Sequence, residues 1–288
     1  MNTVFESSNS KGFSKISCIR YKNLNNLSHY HSDYELIYVQ EGSAQIFVNE
    51  HLFKVIKGQS VFVHSNEIHL IRAEECAVIT VLKADKELLD KIFCKKALAS
   101  PFLDEDGDIY SFMNRIIEEL KCNRENSDIM VSCMTQQFFI HLLRRFPTVE
   151  TRNETSRRMT THEIYRELCG KIATEYATIT FESAAKHMNF SEPHFSKVFH
   201  NIFGMTFTRY LNTVRIAAAL EKLKQGHMSI TEISDSCGFN TIRNFNRVFK
   251  TFTGYSPKNI PANYVFLYNL QDGYGLDPTL NCTIVIDE

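Results

Sequence analysis

The chain has 288 residues, of which 43% are hydrophobic and 23% are charged, and its formal net charge is −1. Two ordinary domains fit this length, and the near-neutral charge excludes a DNA binder whose whole surface is basic. The sequence has no run of 18 apolar residues and no signal-peptide pattern at its start, and its eight cysteines include no Cys-x-x-Cys pair. We therefore expect a cytoplasmic protein with reduced thiols and no membrane contact.

Short segments rich in Val, Ile, Phe and Tyr dominate the N-terminal half. Turn residues such as Gly42 and Gly58 separate these segments. Short strands at regular spacing predict a small β-sandwich or barrel. The predicted strands are 34–39, 44–48, 52–56, 60–63 and 76–82.

Three segments with helical periodicity follow, at about 86–98, 109–121 and 128–145. The second and third carry apolar faces that predict an antiparallel hairpin, through which two chains would form a homodimer by apolar burial. These faces consist of Phe112, Ile116, Ile117, Leu120, Met134, Phe138, Phe139 and Leu142. The polar stretch 147–158 is the predicted linker, and Thr160 with Glu163 forms a predicted capping box at the start of the next helix.

Two segments nearer the C-terminus repeat each other at an offset of 49 to 50 residues. Residues 181–191 are echoed by 230–240, and residues 195–200 are echoed by 245–250. Each copy predicts a helix, a turn at Asn189 or Gly238, and a second helix. Helix-turn-helix units of this kind place the second helix in the major groove of DNA, although two helical repeats that only pack together remain an alternative.

The segment that joins the copies predicts a single rigid helix. Residues 206–225 contain neither Gly nor Pro, and the pattern ends at Gly226. About 20 helical residues span roughly 30 Å, which is close to the repeat of about 34 Å between successive major-groove faces. Residues 159–261 also carry twelve Lys and Arg against eight Asp and Glu, so the DNA-facing charge is expected there.

The segment from about Ile164 to Pro261 resembles the DNA-binding domain of the AraC/XylS family of bacterial transcription regulators. The most specific part of the resemblance runs from Gly238-Phe239 through Phe245-Asn246-Arg247-Val248-Phe249-Lys250 to Gly254-Tyr255-Ser256-Pro257. The stretch 258–261 departs from the family, in which an aromatic residue and an Arg usually follow Ser-Pro.

The resemblance implies that the second helix of each copy contacts double-stranded DNA. The expected DNA-binding residues are Pro193, His194, Ser196, Lys197 and His200 in the first copy, and Ile242, Arg243, Asn244, Asn246, Arg247 and Lys250 in the second. The second copy carries the fuller set of hydrogen-bonding groups. We therefore predict that it supplies most of the base readout, while the first copy positions the protein through phosphates and DNA shape.

The pattern His29-x-His31-x-x-x-Glu35, followed by His69, is similar to the motifs of the cupin barrel. In metal cupins the matching residues form a set of three His and one carboxylate, suited to iron, manganese or zinc. In AraC-family sensor domains, which share the pattern, the barrel generally holds a small organic effector. We predict that these four residues bind an effector, without metal or cofactor. A structural role, in which they satisfy one another, also remains open.

The sequence therefore predicts an α+β protein. Residues 1–146 form a cupin-like barrel with a helical dimerisation hairpin, 147–158 a linker, and 159–261 an all-α domain with two helix-turn-helix units joined by a long helix. Residues 262–288 form an extension without an assigned role, with a strand-like stretch at 282–286. The predicted function is a homodimeric, non-enzymatic transcription regulator that contacts RNA polymerase if it activates. The alternatives are a metal-dependent cupin enzyme or metal sensor fused to a DNA-binding module, and a DNA-binding protein whose barrel only dimerises.

Overall fold

The computed structural model describes residues 16–49, 51–94, 96–104, 107–122, 124–150, 161–261, 264 and 283–286. The strands are β1 (Ile16–Lys22), β2 (Tyr34–Glu41), β3 (Ser43–Val48), β4 (His51–Ile56), β5 (Ser60–Val63), β6 (His69–Ala73), β7 (Val78–Ala84), β8 (Lys96–Leu98), β9 (Phe102–Leu103), β10 (Thr148–Glu150) and β11 (Ile284–Val285). The helices are α1 (Lys86–Phe93), α2 (Gly107–Cys122), α3 (Ser127–Arg145), α4 (Thr161–Glu175), α5 (Phe181–His187), α6 (Glu192–Phe203), α7 (Phe207–Gln225), α8 (Ile230–Ser236) and α9 (Ile242–Thr253). The predicted α+β class is confirmed.

Two antiparallel sheets form the N-terminal barrel. One sheet has six strands in the order β11-β1-β7-β2-β5-β9, and the other has three in the order β4-β3-β6. Strand β2 is buried on both faces from Tyr34 to Val39, which explains why this stretch is apolar apart from Glu35 rather than alternating. Ile37 and Val39 point into the barrel core, whereas Leu36 and Tyr38 pack against the helices outside.

Helix α1 ends earlier than the sequence predicts. Cys94 adopts a left-handed backbone with φ of 41°, and its N–H donates to the carbonyl of Asp90, so the chain leaves the helix there. The following residues form β8, which pairs with β10. The helix predicted over 86–98 is therefore wrong beyond Phe93, and Thr148–Glu150, in the predicted linker, form a strand. Residues 151–158 and the capping residue Thr160 lie outside the described residues.

Helices α2 and α3 form the predicted antiparallel hairpin, but most of its apolar face is used within the chain. The rings of Phe112 and Phe138 stack with centroids 3.9 Å apart. Ile116, Phe139 and Leu142 are buried in one core with the outer face of the barrel. The face predicted for the homodimer is thus largely an intrachain core, and the homodimer itself remains a prediction.

Helix α7 joins the two helix-turn-helix units, of which the first consists of α5 and α6 and the second of α8 and α9. Its first half, including Phe207 and Tyr210, packs into the core of the first unit with Phe199. Its second half, including Ile216 and Leu220, packs into the core of the second unit. The single rod predicted between Thr206 and Gly226 is confirmed, with those two residues as its N-cap and C-cap.

The strand-like stretch near the C-terminus joins the sheet of the N-terminal barrel. Strand β11 pairs antiparallel with β1. The Thr283 hydroxyl donates to the Asn23 carbonyl at 2.8 Å and accepts from the Asn25 N–H at 3.1 Å. These contacts tie residues beyond the helical domain to the barrel edge. Within the described ranges, no helix is both long and apolar enough to cross a membrane.

The turn glycine of the second unit gives a direct test of how the units pack. Gly238 has φ of +79°, and a Cβ added there would lie 2.1 Å from the Ala177 carbonyl oxygen. Gly226 has φ of +71° with nothing within 4 Å of such a Cβ. We expect Gly226→Ala to cost about 1–2 kcal/mol from left-handed strain alone. Gly238→Ala should cost above about 3 kcal/mol, because overlap adds to strain.

Chemical unfolding of the two variants, followed by helical circular dichroism, measures both costs. Equal losses for Gly226→Ala and Gly238→Ala would contradict the close approach of the second turn to Ala177.

Candidate functional site

Helix α9 presents one polar face to solvent. The Thr241 hydroxyl caps its start by accepting the Asn244 N–H at 3.2 Å. Phe245, Val248 and Phe249 are buried, which fixes the rotation of the helix about its axis. The predicted residues Ile242, Arg243, Asn246, Arg247 and Lys250 are exposed on the opposite side. Exposed Arg and Asn side chains in this arrangement suit base edges and phosphates.

Asn244 differs from the other predicted residues of α9. Its side chain is half-buried, and its Oδ1 accepts a hydrogen bond from Arg247 Nη2 at 2.9 Å. The amide therefore orients the guanidinium of Arg247 instead of projecting freely into solvent. A pre-oriented guanidinium loses less conformational freedom when it forms its two parallel hydrogen bonds.

Helix α6 presents the corresponding face of the first unit. Pro193 lies in its first turn, and Phe195 and Phe199 are buried beneath it. The five predicted residues, Pro193, His194, Ser196, Lys197 and His200, are all exposed. The structure thus places the two predicted sets on the second helices of their units. The turn residues Asn189 and Gly238 have positive φ, as the sequence predicts.

Arg215 on α7 connects the two units, and the sequence reasoning missed it. Its Nε donates to the Tyr176 carbonyl at 2.8 Å, and its Nη2 donates to the Ala177 carbonyl at 3.4 Å. The guanidinium also lies 5.7 Å from the ring centroid of Phe239, in the second unit. Arg215 therefore ties the end of α4 to the turn of the second unit. The available signal was a lone Arg before the apolar run 216–220.

The four residues predicted as the effector site converge inside the barrel. His29 and His31 lie on the segment between β1 and β2, Glu35 lies in β2, and His69 begins β6. One potential ligand atom from each lies within 4.8 Å of the others. Glu35 Oε2 lies 3.1 Å from His31 Nε2 and 2.6 Å from His69 Nε2. His29, Glu35 and His69 are buried, and His31 is half-buried.

Backbone carbonyls orient all three imidazoles. His29 Nδ1 donates to the Leu27 carbonyl at 2.9 Å, His31 Nδ1 to the Asp33 carbonyl at 3.1 Å, and His69 Nδ1 to the Glu67 carbonyl at 2.9 Å. A carbonyl oxygen can only accept, so each Nδ1 carries the proton. In a neutral ring of this tautomer, the lone pair is on Nε2. The Nε2 atoms of His31 and His69 face the Glu35 carboxylate.

Burial sets the charges within this group. Desolvation lowers the pKa of His29 well below its usual value. Burial also lowers the pKa of His31, against the opposing effect of its hydrogen bond with Glu35. For Glu35, burial alone would raise the pKa, but the charge of His69 and the hydrogen bonds from His31 and His69 outweigh it and hold the pKa well below the usual value. A neutral ring whose Nδ1 donates to a carbonyl cannot also donate from Nε2, so His31 and His69 donate to Glu35 only when they are protonated, and burial opposes that state at His31.

A separate cavity of about 590 Å³ lies between α2 and α3. Phe112 and Phe138 contribute apolar surface to its lining, and Arg115, His141 and Arg144 contribute basic groups. None of the residues that line it belongs to the His-Glu group, which consists of His29, His31, Glu35 and His69. This cavity is therefore a different site from the predicted effector site.

Two family models match the chain. The AraC-like ligand binding domain matches residues 18–143, and the helix-turn-helix domain matches residues 184–262. The first range holds the barrel and the α2–α3 hairpin, and the second holds most of the double helix-turn-helix. The cupin-like barrel and the helical domain predicted from the sequence are both confirmed.

Curated relatives are named as transcription regulators. The uncharacterized HTH-type transcriptional regulator YpdC of Escherichia coli is 34% identical over 102 residues, which are 35% of this chain and 36% of that protein. An uncharacterized HTH-type transcriptional regulator of Staphylococcus aureus is 22% identical over 228 residues, which are 77% of this chain and 30% of that protein. The chain thus spans about a third of the length of these relatives.

Two solved structures match the chain at low identity and with TM-scores below 0.5. An apo ToxT variant from Vibrio cholerae is 14% identical with a TM-score of 0.41, covering 86% of this chain and 96% of that one. The C-terminal domain of the response regulator yesN from Fusobacterium nucleatum is 27% identical with a TM-score of 0.31, covering 33% of this chain and 94% of that one.

Arg215 should fix the distance between the two recognition helices. We expect Arg215→Met to tolerate DNA sites in which the half-site spacing is changed by one base pair, because the second unit loses its hydrogen bonds to the end of α4. The penalty for altered spacing should fall by about 1 kcal/mol, the net value of such a hydrogen bond. Competition binding on a series of spacings measures it.

Lys224→Met, an exposed change on the same helix, is the control and should keep the wild-type preference. If Arg215→Met lowered only the melting temperature and retained the full spacing penalty, its role would be limited to stability.

Proposed function

The chain belongs to the AraC family of transcription regulators, and we propose that it reads its operator mainly through α9 and senses a divalent metal ion at the His-Glu group of the barrel. Helix α6 would position the protein on the DNA. The names of the matching relatives support a regulatory role rather than an enzymatic one.

The side chains of α9 support the assignment of base readout. Arg pairs with the O6 and N7 acceptors of guanine, and Asn pairs with N6 and N7 of adenine. Arg243, Asn246 and Arg247 offer both types on one exposed face. Helix α6 offers Lys197, a point charge suited to phosphate, while Pro193 donates no hydrogen bond. The difference in chemistry therefore favours α9 for specificity and α6 for placement.

Substitutions in the two helices should have different effects on DNA binding. Arg247→Ala should lose about 1–3 kcal/mol of discrimination at one base pair. Lys197→Ala should weaken binding to all sequences alike and reduce the slope of log affinity against log salt by about 0.9. Competition assays on single-base-pair variants of the operator, repeated at several salt concentrations, measure both effects.

Equal loss of base discrimination in Arg247→Ala and Lys197→Ala would contradict this division between the helices. A salt dependence that stays flat in the wild type would argue against phosphate contact altogether.

The orientation of the three imidazoles is the observation that carries the metal proposal. All three Nδ1 atoms are bound to carbonyls, and the Nε2 atoms of His31 and His69 face one carboxylate. Metal-binding histidines are held in this way, with the second ring nitrogen donating to a carbonyl or carboxylate. With neutral rings, lone pairs would face the ionised Glu35 across 3.1 Å at His31. A cation between them removes that repulsion.

The donor set fits a first-row divalent metal. Three imidazole nitrogens and one carboxylate oxygen suit Zn²⁺, Mn²⁺ or Fe²⁺. The residues that would hold the ion are His29, His31, Glu35 and His69. Burial lowers the pKa of His29 and His31, and the contacts with the imidazoles lower the pKa of Glu35 against the opposing effect of burial. These shifts favour the unprotonated groups that metal ligands must be. When bound, the ion supplies the positive charge that lets these groups share one site.

Metal binding is tested on the purified full chain with Zn²⁺, Mn²⁺ and Fe²⁺. We expect one equivalent to bind and to stabilise the fold, by about 2.7 kcal/mol at a concentration of 100 times Kd. The double variant His31→Ala, His69→Ala should lose both the bound metal and the stabilisation. His51→Ala, an exposed histidine on β4, is the matched control and should keep them.

If small organic metabolites raised the melting temperature while the metal content stayed at trace levels, the site would be assigned to an organic effector instead of a metal ion. Unchanged metal content in the double variant would move the site elsewhere.

The homodimer, the cytoplasmic location and the contact with RNA polymerase also belong to this proposal. Ile129, Met130 and Ile140 on α3 and Leu120 on α2 are large apolar residues that stay exposed on the hairpin. They offer a second copy of the chain a surface that the intrachain core leaves uncovered.

A further inference from the structure

The part of the barrel that carries the His-Glu group also holds the first helix-turn-helix unit. Leu27 and Ile68 are buried in the same hydrophobic core as Tyr165, Phe199 and Phe203 of the helical domain. The barrel and the first unit therefore share one core.

Polar contacts at the same place involve backbone atoms of two helices. The Ser28 hydroxyl donates to the Ile202 carbonyl in α6 at 3.3 Å, and the Tyr30 hydroxyl donates to the Arg166 carbonyl in α4 at 3.4 Å. Gly204, which ends α6, is so close that an added Cβ would lie 3.2 Å from Leu70 Cδ2. The C-terminal end of α6 thus rests directly on the barrel.

Along β6 and the residue before it, successive side chains face the His-Glu group and the helical domain in turn. His69 points into the His-Glu group, while its neighbours Ile68 and Leu70 face the helical domain. Ile71, on the same face as His69, is part of the barrel core. Successive side chains of a strand point to opposite faces, so rotating this strand moves both sites.

Residues 28–31 show the same alternation, and they are hydrogen-bonded to β6. His29 and His31 reach the His-Glu group, while Ser28 and Tyr30 reach the helical domain. The His29 N–H donates to the His69 carbonyl at 3.0 Å, and the His69 N–H donates to the His29 carbonyl at 2.9 Å. This pair of hydrogen bonds makes the two segments move as one unit.

We propose that a metal ion at the His-Glu group stabilises the docking of the first helix-turn-helix unit on the barrel, through segments 27–31 and 68–70. This inference rests on the proposed metal site and adds the route by which occupancy reaches the DNA-binding domain. Metal binding and docking are linked because the same backbone segments present the ligands on one side and the docking surface on the other.

The distances within the group explain why binding acts on the backbone. Two ligands at about 2.1 Å from one ion can be no more than about 4.2 Å apart. The potential ligand atoms are separated by up to 4.8 Å. Holding an ion therefore requires the most separated ligand atoms to move closer together, which restricts the rotation of both segments. That restriction stabilises the surface on which Ile202 and Gly204 rest.

Linkage gives the proposal a quantitative form. If metal strengthens docking, then docking strengthens metal binding by the same factor, typically 5- to 150-fold. A variant that weakens docking without touching a ligand must therefore weaken metal binding. Ile68→Ala is such a variant, and Ile71→Ala is its matched control. Both residues are isoleucines, 1% exposed, and three residues apart, but only Ile68 contacts the helical domain.

The experiment measures Zn²⁺ affinity of the full-length wild type, Ile68→Ala and Ile71→Ala by chelator competition. We expect Ile68→Ala to bind Zn²⁺ at least 5-fold more weakly than the wild type. Ile71→Ala should lose stability but keep its Zn²⁺ affinity within about 2-fold. Hydrogen exchange provides a second readout. Zn²⁺ should slow amide exchange in α6 of the wild type and leave that of Ile68→Ala unchanged.

Milder variants keep the test decisive if Ile68→Ala does not fold. Ser28→Ala and Tyr30→Phe each remove one hydrogen bond to the helical domain and should shift Zn²⁺ affinity in the same direction. Equal Zn²⁺ affinity in all variants, with α6 exchange unaffected, would overturn the coupling and leave the metal site intact. A wild type that binds no Zn²⁺, Mn²⁺ or Fe²⁺ would overturn the metal site, and the coupling with it.

Discussion

The reciprocal hydrogen bonds between His29 and His69 hold together two segments on which both halves of the molecule depend. On one side these segments bring three imidazoles to Glu35, and on the other side they complete the core of the first helix-turn-helix unit. The alternation of side chains along an extended chain makes this double use possible. A buried carboxylate is costly unless it is paired. If the two segments separated, Glu35 would lose its imidazole partners, so the pairing of Glu35 holds the segments together.

A second constraint, the continuity of α7, organises the DNA-binding half. The helix gives its first half to one core and its second half to the other, so neither unit can rotate freely about the rod. Arg215 and the close approach of Gly238 to Ala177 add a direct contact between the end of α4 and the second unit. Together these features set the distance and angle between α6 and α9. Two helices that must enter successive major-groove faces require such a fixed relation.

Local patterns predicted much of this structure, and long-range contacts account for most of the differences. The repeat, its turns at Asn189 and Gly238 and the rod between Thr206 and Gly226 follow from helical periodicity, caps and residues that tolerate positive φ. The convergence of the four His and Glu residues followed from a motif. By contrast, the sequence did not predict β6, because this strand is short and its extended conformation depends on pairing with β3. Apolar faces on α2 and α3 were visible, but periodicity cannot tell an intrachain core from an interface between chains. Arg215 gave only the weak signal of a lone Arg before an apolar run, because its partners are carbonyls distant in sequence.

The docking contact also suggests which property of DNA binding the effector controls. The barrel holds the C-terminal end of α6, whereas the core of the second unit is built from residues of the helical domain, between Tyr176 and Tyr264. On the proposed division of labour, α6 places the protein through phosphates and α9 reads the bases. A change in docking then acts on placement and leaves the chemistry of Arg243, Asn246 and Arg247 intact. Effector binding would therefore alter the affinity for all operators by a similar factor without changing the preferred sequence, since the coupling free energy enters through α4 and α6 rather than through α9.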